Sequence, residues 1–486
     1  MILLSAKTLS SSPFLLRSSP HPQNPNPKPL SASQALPKSE YRTERGLTFD
    51  SGNSFFRHES ATGRDLGVLA ASLYKKSKGS VRVLDAMCGC GIRSLRYLVE
   101  AEADFVLAND ANENYGRTIL ENLSQGLGGS GEERRWVVTH TDANRVMTEC
   151  YLRRDFYDLI DVDSFGSESS FLRSAYNALK LDGLFYVTST DGYTSGGHRP
   201  HHSLASYGAF VRPMPYSNEV GLRMLIGGAL REASVLGYRI TPLFSYYSYH
   251  GPVFRVMLRM NRGKLPENRN YGFISYCTKC GNSQAFSWNE LGRISCPCSD
   301  AKVSSSLVVS GPLWIGPLHN ASYLTEMLNL AEQWGWTGND TETHLGKLLK
   351  QMIDESDPKL PFGYIKLDEA LLHGLEIECN FIIDFPLMFL GGKPCKNKLS
   401  SPQDHDECPE QGILLVFSSR GFSIVISQET ESAPTNGLQK LMQSICWIWL
   451  LQEGYAVSRS HIASNAIKTN CPMAVCIRIA KELQQC

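Results

Sequence analysis

The chain has 486 residues, 42% of them hydrophobic and 20% charged, enough for two or three domains with cores of their own and too apolar for a disordered chain. Lys plus Arg (48) equals Asp plus Glu (48), so affinity for a polyanion has to come from a local basic patch. Most of the 14 cysteines stand alone, with close spacing only at Cys88/Cys90, Cys277/Cys280 and Cys296/Cys298, which excludes a secreted disulfide framework.

From Met1 to Ser39 there is no Asp or Glu, while Ser and Pro dominate and the positive charges are Lys7, Arg17, Lys28 and Lys38. Organelle transit peptides have this composition, and so does a plain disordered tail. Few arginines and no basic amphipathic helix favour a plastid over a mitochondrion, so residues 1–40 are expected to be a leader. Val81 to Asp85 then reads as a short strand ending on an acid, Ala86 to Gly91 as a glycine loop and Ile92 to Leu98 as a helix. Further strands are expected at Phe105 to Ala108, Trp136 to Thr139, Tyr157 to Val162 and Leu184 to Ser189, with helix-length segments between them. The alternation predicts an α/β doubly wound parallel sheet whose ligands sit at the carboxyl ends of the strands, where Asp85, Asp110, Asp142 and Asp163 fall.

The glycine loop separates two cofactor classes. Ser94 stands where a dinucleotide fingerprint needs its third glycine, which disfavours NAD. Asp85-x-x-x-Gly89-x-Gly91 instead resembles the first motif of S-adenosylmethionine (SAM) methyltransferases. Asp110 is placed to accept hydrogen bonds from ribose hydroxyls, and Asp142 to receive an adenine amino group with Ala143 beside the ring. For each acid alone, capping a loop or facing solvent is an equal reading. Asp161-Val-Asp163-Ser-Phe165-Gly166 brings a carboxylate, an aromatic ring and a glycine together. An exocyclic amine is a poor nucleophile because its lone pair is delocalised, and Asp163 could localise that pair and take the proton. Phe165 could stack on an extruded base. The alternative is that the two acids cap a helix from Ser167 to Leu179 and Phe165 is core.

Val83-Leu-Asp-Ala-x-x-Gly-x-Gly-Ile-Arg-Ser-Leu-Arg-Tyr97, Asn109-Asp110, Asp142-Ala-Asn144, Asp161-x-Asp-x-Phe-Gly-Ser167 and Thr188-x-Thr-Asp191 together resemble the tRNA guanine-N2 dimethyltransferases. Arg64-Asp65-Leu66, Phe254-Arg-Val256, Gly311-Pro-Leu-Trp314 and Gly454-Tyr-x-Val-Ser-Arg-x-His461 extend the likeness to nearly everything beyond the leader. The resemblance implies a Rossmann-like class I SAM-dependent methyltransferase domain acting on guanine 26 of tRNA, with mono- or dimethylation left open. It implies cofactor contacts at Arg64, Arg93, Asp110, Asp142 and Ala143, beside the loop residues Asp85, Gly89 and Gly91, and a catalytic carboxylate at Asp163 next to Phe165. Two departures stand out: Ser164 replaces the family's usual proline, and Phe55-Phe-Arg-His58 replaces an upstream Phe-Tyr-Asn-Pro stretch. They leave open another exocyclic amine in RNA or DNA as acceptor, or an inert RNA-binding protein.

Cys277-x-x-Cys280 and Cys296-x-Cys298 resemble a zinc ribbon, with four thiolates for a structural tetrahedral zinc. The short second pair leaves room for one ligand from elsewhere, and four buried reduced cysteines are the alternative. Cys395, His405 and Cys408 sit in a polar stretch, Lys393 to Gln411, that reads as a surface loop. The expected organisation is a methyltransferase domain over 41–265, a zinc-ribbon-like segment over 266–318 and an α+β tRNA-binding module over 319–486. In that module Arg459, His461 and Lys468 could touch phosphates, and strands are expected at Gly412 to Phe417 and Phe422 to Ile426. Trp334, Trp336, Trp447 and Trp449 read as core. The apolar runs Phe381 to Leu390 and Leu441 to Leu451 fall short of about 18 residues, so no membrane span is expected; no obligate protein partner is inferred.

Overall fold

The computed structural model describes residues 39–125, 135–263, 268–296, 298, 306–338, 344–366, 414–418, 421–425 and 450–485. Residues 1–38 of the expected leader lie outside the described residues. So do the run 381–390, nearly all of 441–451, the 393–411 stretch with its two cysteines and histidine, and Trp447 and Trp449.

A small hairpin, β1 (Tyr41–Glu44) and β2 (Leu47–Asp50), precedes helix α1 (Ala61–Lys78). There follow β3 (Arg82–Asp85), α2 (Ile92–Val99), β4 (Phe105–Asn109), α3 (Gly116–Ser124), β5 (Trp136–Thr139), α4 (Ala143–Leu152), β6 (Tyr157–Asp163), α5 (Leu172–Ala178) and β7 (Leu179–Ser189). Two short helices, α6 (Gly192–Ser195) and α7 (Pro200–Tyr207), and the long α8 (Ser217–Val235) lead into a hairpin of β8 (Tyr238–Ser248) and β9 (Val253–Arg262). The strands form one seven-stranded sheet in the order β5-β4-β3-β6-β7-β9-β8. Each expected strand is present, but the sheet is not wholly parallel, because β9 runs antiparallel to both neighbours. A tight hairpin from β8 to β9 can only join antiparallel strands, whereas every earlier connection is a helical crossover. The helix expected from Ser167 begins at Leu172.

Burial on both faces explains why the inner strands read as apolar runs. Along β7, Leu184 and Tyr186 point to a core shared with α1, α2 and α3, while Phe185 and Val187 point to the core under α4, α5 and α8. This period-two alternation in the apolar run Leu184 to Val187 makes a three-layer sandwich.

The cysteine segment is a three-stranded antiparallel sheet of β10 (Tyr271–Cys277), β11 (Ser283–Phe286) and β12 (Leu307–Trp314), with β10 central. Helices α9 (Ala321–Gln333) and α10 (Leu345–Asp354) follow, and Tyr323, Leu324, Met327, Leu345 and Leu349 pack into the same core as α1. Residues beyond the expected boundary at 318/319 therefore pack into a core of the seven-stranded sheet. The rest of the described chain holds β13 (Ile365–Lys366), the hairpin β14 (Leu414–Ser418) and β15 (Gly421–Val425), β16 (Val457–Arg459), β17 (Ala466–Thr469) and a final helix, Met473–Gln485. β13, β17 and β16 form their own antiparallel sheet. Among the described residues no helix is long and apolar enough to cross a membrane. Trp336 is buried, with Trp334 edge-on at 4.8 Å.

Candidate active site

A cavity of about 640 Å³ opens at the carboxyl ends of β3, β4, β5 and β6 and is lined by Gly89, Asp110, Asp142, Ala143, Asp163 and Phe165, among others. Its floor is the loop after β3. Gly89 (φ +57°) and Gly91 (φ +85°) both lie in the left-handed region, which a side chain would strain. A Cβ on Gly89 would meet nothing within 4 Å, so the backbone there is a bare cradle facing the cavity. Asp110, just past β4, accepts the Gly89 N–H at 2.9 Å and, through its other oxygen, the Asn112 N–H at 2.9 Å. It ties the glycine loop to the second strand and keeps lone pairs for a ligand. Asp142 caps α4 by accepting the Arg145 N–H at 3.1 Å, with buried Ala143 beside it at the wall.

The deep end of the cavity is an ionic cluster. Arg93, buried on α2, donates to Asp85 Oδ1 at 2.8 Å, to the Met87 carbonyl and to Asp163. Asp163 also receives Arg255 from β9, with Nη2 3.1 Å from Oδ1 and 3.3 Å from Oδ2, and Arg255 Nη1 donates to Thr188 Oγ1 at 2.9 Å. Burial alone would raise the Asp163 carboxyl. The two guanidiniums, Arg255 first, override it and hold Asp163 well below the usual carboxylate range. Asp161, one step deeper, has only a longer 3.6 Å approach from Arg93 and accepts from the Tyr97 hydroxyl at 2.8 Å. Burial, reinforced by Asp85 and Asp163, lifts it to about 6 despite Arg93. Three carboxylates thus share two guanidiniums, and Asp163, the one at the cavity wall, pairs with both.

The mouth is aromatic. Phe165 is 73% exposed and Phe55 58% exposed, meeting edge to face at 5.0 Å. The loop that carries Phe165 is pinned to the end of β7. Ser164 Oγ donates to the Thr188 carbonyl at 3.0 Å, the Gly166 N–H donates to Thr190 Oγ1 at 2.6 Å, and the Thr190 N–H donates to the Gly166 carbonyl at 2.9 Å. The serine that replaces the family's proline restrains the turn by a hydrogen bond instead of by a ring.

Asp85 and Arg64 sit differently from the expectation of direct cofactor contact. Asp85 is fully buried beneath the loop, where its oxygens accept from Arg93 and Ser94 at 2.8 Å each; it orients Arg93 and does not line the cavity. Arg64 reaches the wall, but its Nε donates to Glu44 at 2.8 Å and its Nη2 to the Arg57 carbonyl at 3.1 Å. Glu44 is shared with Arg96, which is itself held by Asp65 and Glu100 at 2.7 Å each. That carboxylate neutralises Arg64, which fixes the hairpin β1-β2 against α1.

Lys468, expected to meet phosphate, is buried instead. Its ammonium lies 2.6 Å from Glu219 on α8 and 3.7 Å from Glu355. Glu219 also pairs with Arg223 at 2.8 Å, and His461 donates to Glu355 at 2.9 Å, with His319 Nε2 at 3.8 Å from the same carboxylate. His319, Glu355 and His461 are metal-type donors within reach of one another. Two carboxylates against one lysine and one arginine already balance, however, and a divalent ion would leave buried charge uncompensated. The cluster is a clasp joining the C-terminal segment to α8 and α10.

The four sulfurs of Cys277, Cys280, Cys296 and Cys298 lie within 4.8 Å of one another, with separations of 3.4 and 3.5 Å for three of the pairs. Zn–S bonds of about 2.3 Å in a tetrahedron put sulfurs ~3.8 Å apart, so the donor set and spacing fit a closed zinc site. Gly281, at φ +71°, allows the turn that brings its N–H onto the Cys277 carbonyl at 2.8 Å.

Arg255 and Phe55 carry no assigned role in the sequence reading. Arg255 had a signal: an arginine inside the buried run Val253 to Leu258 has to find a carboxylate. Phe55 had none, since its partner is 110 positions away.

The sheet order, the bare glycine cradle and the acids at successive strand ends define the α/β class of SAM-dependent methyltransferases. The solved complex of Trm1 from Pyrococcus horikoshii with S-adenosyl-L-methionine shares the fold, at a TM-score of 0.64 and 22% identity, covering 90% of this chain and 99% of that one. Residues 38–378 match the model of the N2,N2-dimethylguanosine tRNA methyltransferase family, to which the chain belongs. Among its relatives is a tRNA (guanine(26)-N(2))-dimethyltransferase of Pyrococcus abyssi, 28% identical over 79% of this chain and 97% of the relative. Another of that name from Saccharolobus islandicus is 31% identical over 63% of this chain and 76% of the relative.

Proposed function

We propose that the protein transfers methyl groups from SAM to the exocyclic N2 amine of guanine 26 in tRNA, giving N2-methyl- and N2,N2-dimethylguanosine. The observation that carries this reading is Asp163, a carboxylate held ionised by Arg93 and Arg255 at a cavity wall, directly behind the Phe55–Phe165 mouth. When bound, SAM supplies an electrophilic methyl group. Asp110 accepts the ribose hydroxyls, Asp142 the adenine amino group, and the Gly89 cradle lets the ligand lie against backbone. Phe165 and Phe55 hold the extruded guanine, as enzymes that modify bases require. Asp163 accepts the N–H hydrogens of the amine, which turns the nitrogen lone pair away from the ring, and then takes the proton that the alkylated nitrogen releases. A weakly basic carboxylate suffices, because losing that proton restores conjugation and makes the cationic nitrogen a strong acid. The test is Asp163→Asn: turnover should fall about 10²-fold or more while SAM and tRNA affinity stay near wild type, and unchanged turnover removes Asp163 from the chemistry.

The cysteine cluster supports a structural zinc with no open coordination position, closing the β10-β11-β12 sheet. The acid-free, Ser/Pro-rich first 37 residues, ahead of the family match that starts at residue 38, support a plastid address. A fluorescent fusion of residues 1–40 that stays outside plastids would overturn the address.

A further inference from the structure

Three of the large aromatic side chains left exposed in the described chain line two neighbouring cavities: Phe55, Phe165 and Tyr193, the last 66% exposed. The first two frame the guanine slot. Tyr193 stands on the far side of the Phe165 loop, in a second, open cavity of about 670 Å³ whose lining includes Gly166, Thr190, His198, Arg199 and Pro252. Thr190 and Pro252 line both cavities, so the two are separated by a single wall.

The chemistry of this second cavity is that of a nucleotide. Arg199 lies over the Tyr193 ring at 5.1 Å and His198 meets its edge at 6.4 Å. The only acid in the lining, Asp191, is engaged at the start of α6, accepting the Thr194 N–H at 3.0 Å and the Thr194 hydroxyl. An exposed ring flanked by a guanidinium and an imidazole stacks a base on one face and offers donors to a phosphate. An RNA strand whose target base occupies the first slot reaches the second cavity with its neighbouring nucleotide by crossing the wall that Thr190 and Pro252 form between the two.

We propose that Tyr193, with Arg199 and His198, forms a subsite for the nucleotide adjacent to the target guanosine, stacking its base and binding its phosphate. This rests on the tRNA methylation reading above. It makes α6 and the start of α7 a splint that holds the strand open while the guanine is extruded.

The test uses the purified chain, SAM, and a tRNA transcript made with either an intact or an abasic residue on each side of guanosine 26. Tyr193→Ala should raise the KM for intact tRNA about 5- to 150-fold, the range of one lost base–aromatic stack, with SAM affinity and melting temperature unchanged. Tyr193→Phe should restore it. One of the two abasic transcripts should reproduce the defect with wild-type protein and add nothing to that of Tyr193→Ala. Arg199→Gln should lower the salt slope of tRNA binding by about one. An unchanged KM in Tyr193→Ala, or losses that add with both abasic transcripts while wild type remains active, overturns the subsite alone. Wild-type protein inactive on every transcript overturns the methylation reading and the subsite with it.

Discussion

Glu168 gives the acceptor loop a pH dependence that can be worked out. It is fully buried, its Oε2 accepts the Tyr207 hydroxyl at 2.9 Å, and that hydroxyl is also 2.9 Å from Ser167 Oγ. Burial raises the Glu168 carboxyl to about 7, against the lowering effect of its hydrogen bonds, from an ordinary value of 4.5. A carboxyl raised in the fold costs nothing while it is protonated in both states. Its penalty grows as pH rises from the unfolded value through the folded one, and is then constant. At 1.36 kcal/mol per pH unit the full penalty is ~3 kcal/mol, of which ~2 kcal/mol accrues between pH 5.5 and 8.5. Glu168→Gln keeps the shape and removes the titration. Urea unfolding of both proteins at the two pH values should therefore show wild type losing ~2 kcal/mol relative to the variant as pH rises. Parallel pH profiles would mean that Glu168 is not held protonated by burial, and the reasoning fails.

Arg255→Met removes the stronger of the two cations on Asp163, so that carboxyl should rise and the methylation rate should acquire an acid limb that wild type lacks over the same pH range; superimposable profiles count against the pairing. Lys468→Ala leaves Glu219 and Glu355 buried without their lysine, and should cost ~3–5 kcal/mol of stability, read by denaturation. Elemental analysis should find about one zinc per chain in wild type and almost none in Cys277→Ser, which should melt lower yet still bind SAM. Gly91→Ala places a Cβ at φ +85°, and calorimetry should show weaker SAM binding with a loss of ~1–2 kcal/mol in stability.

The acids of the cavity wall were legible because strand ends are local in sequence: a β-branched run followed by Asp, repeated, marks a row of acids along one edge of a sheet. Asp110 and Asp142 follow from that pattern and Gly89 from the glycine loop after β3, and all three line the cavity. What stayed hidden depends on contacts between distant segments. Lys468 reads as a phosphate contact until its partner Glu219, 249 positions earlier, is brought to it. Arg64 reads as a cofactor contact until β1 delivers Glu44. Asp85 and Asp163 look equivalent as strand-end acids, yet one is sealed under α2 and the other faces the cavity. The antiparallel β9 was missed because a central strand buried on both faces carries the same apolar signature in either direction.

The central claim is that the acceptor is the exocyclic amine of guanine 26. Two tRNA transcripts that differ only in guanosine or inosine at that position isolate the amine, since inosine lacks it and keeps the rest of the purine. Incubated with the purified chain and SAM and analysed by nucleoside mass spectrometry, the guanosine transcript should yield N2-methyl- or N2,N2-dimethylguanosine at position 26 and the inosine transcript none. Equal methyl incorporation into both transcripts, or methylation of guanosine 26 at any atom other than N2, would contradict the account.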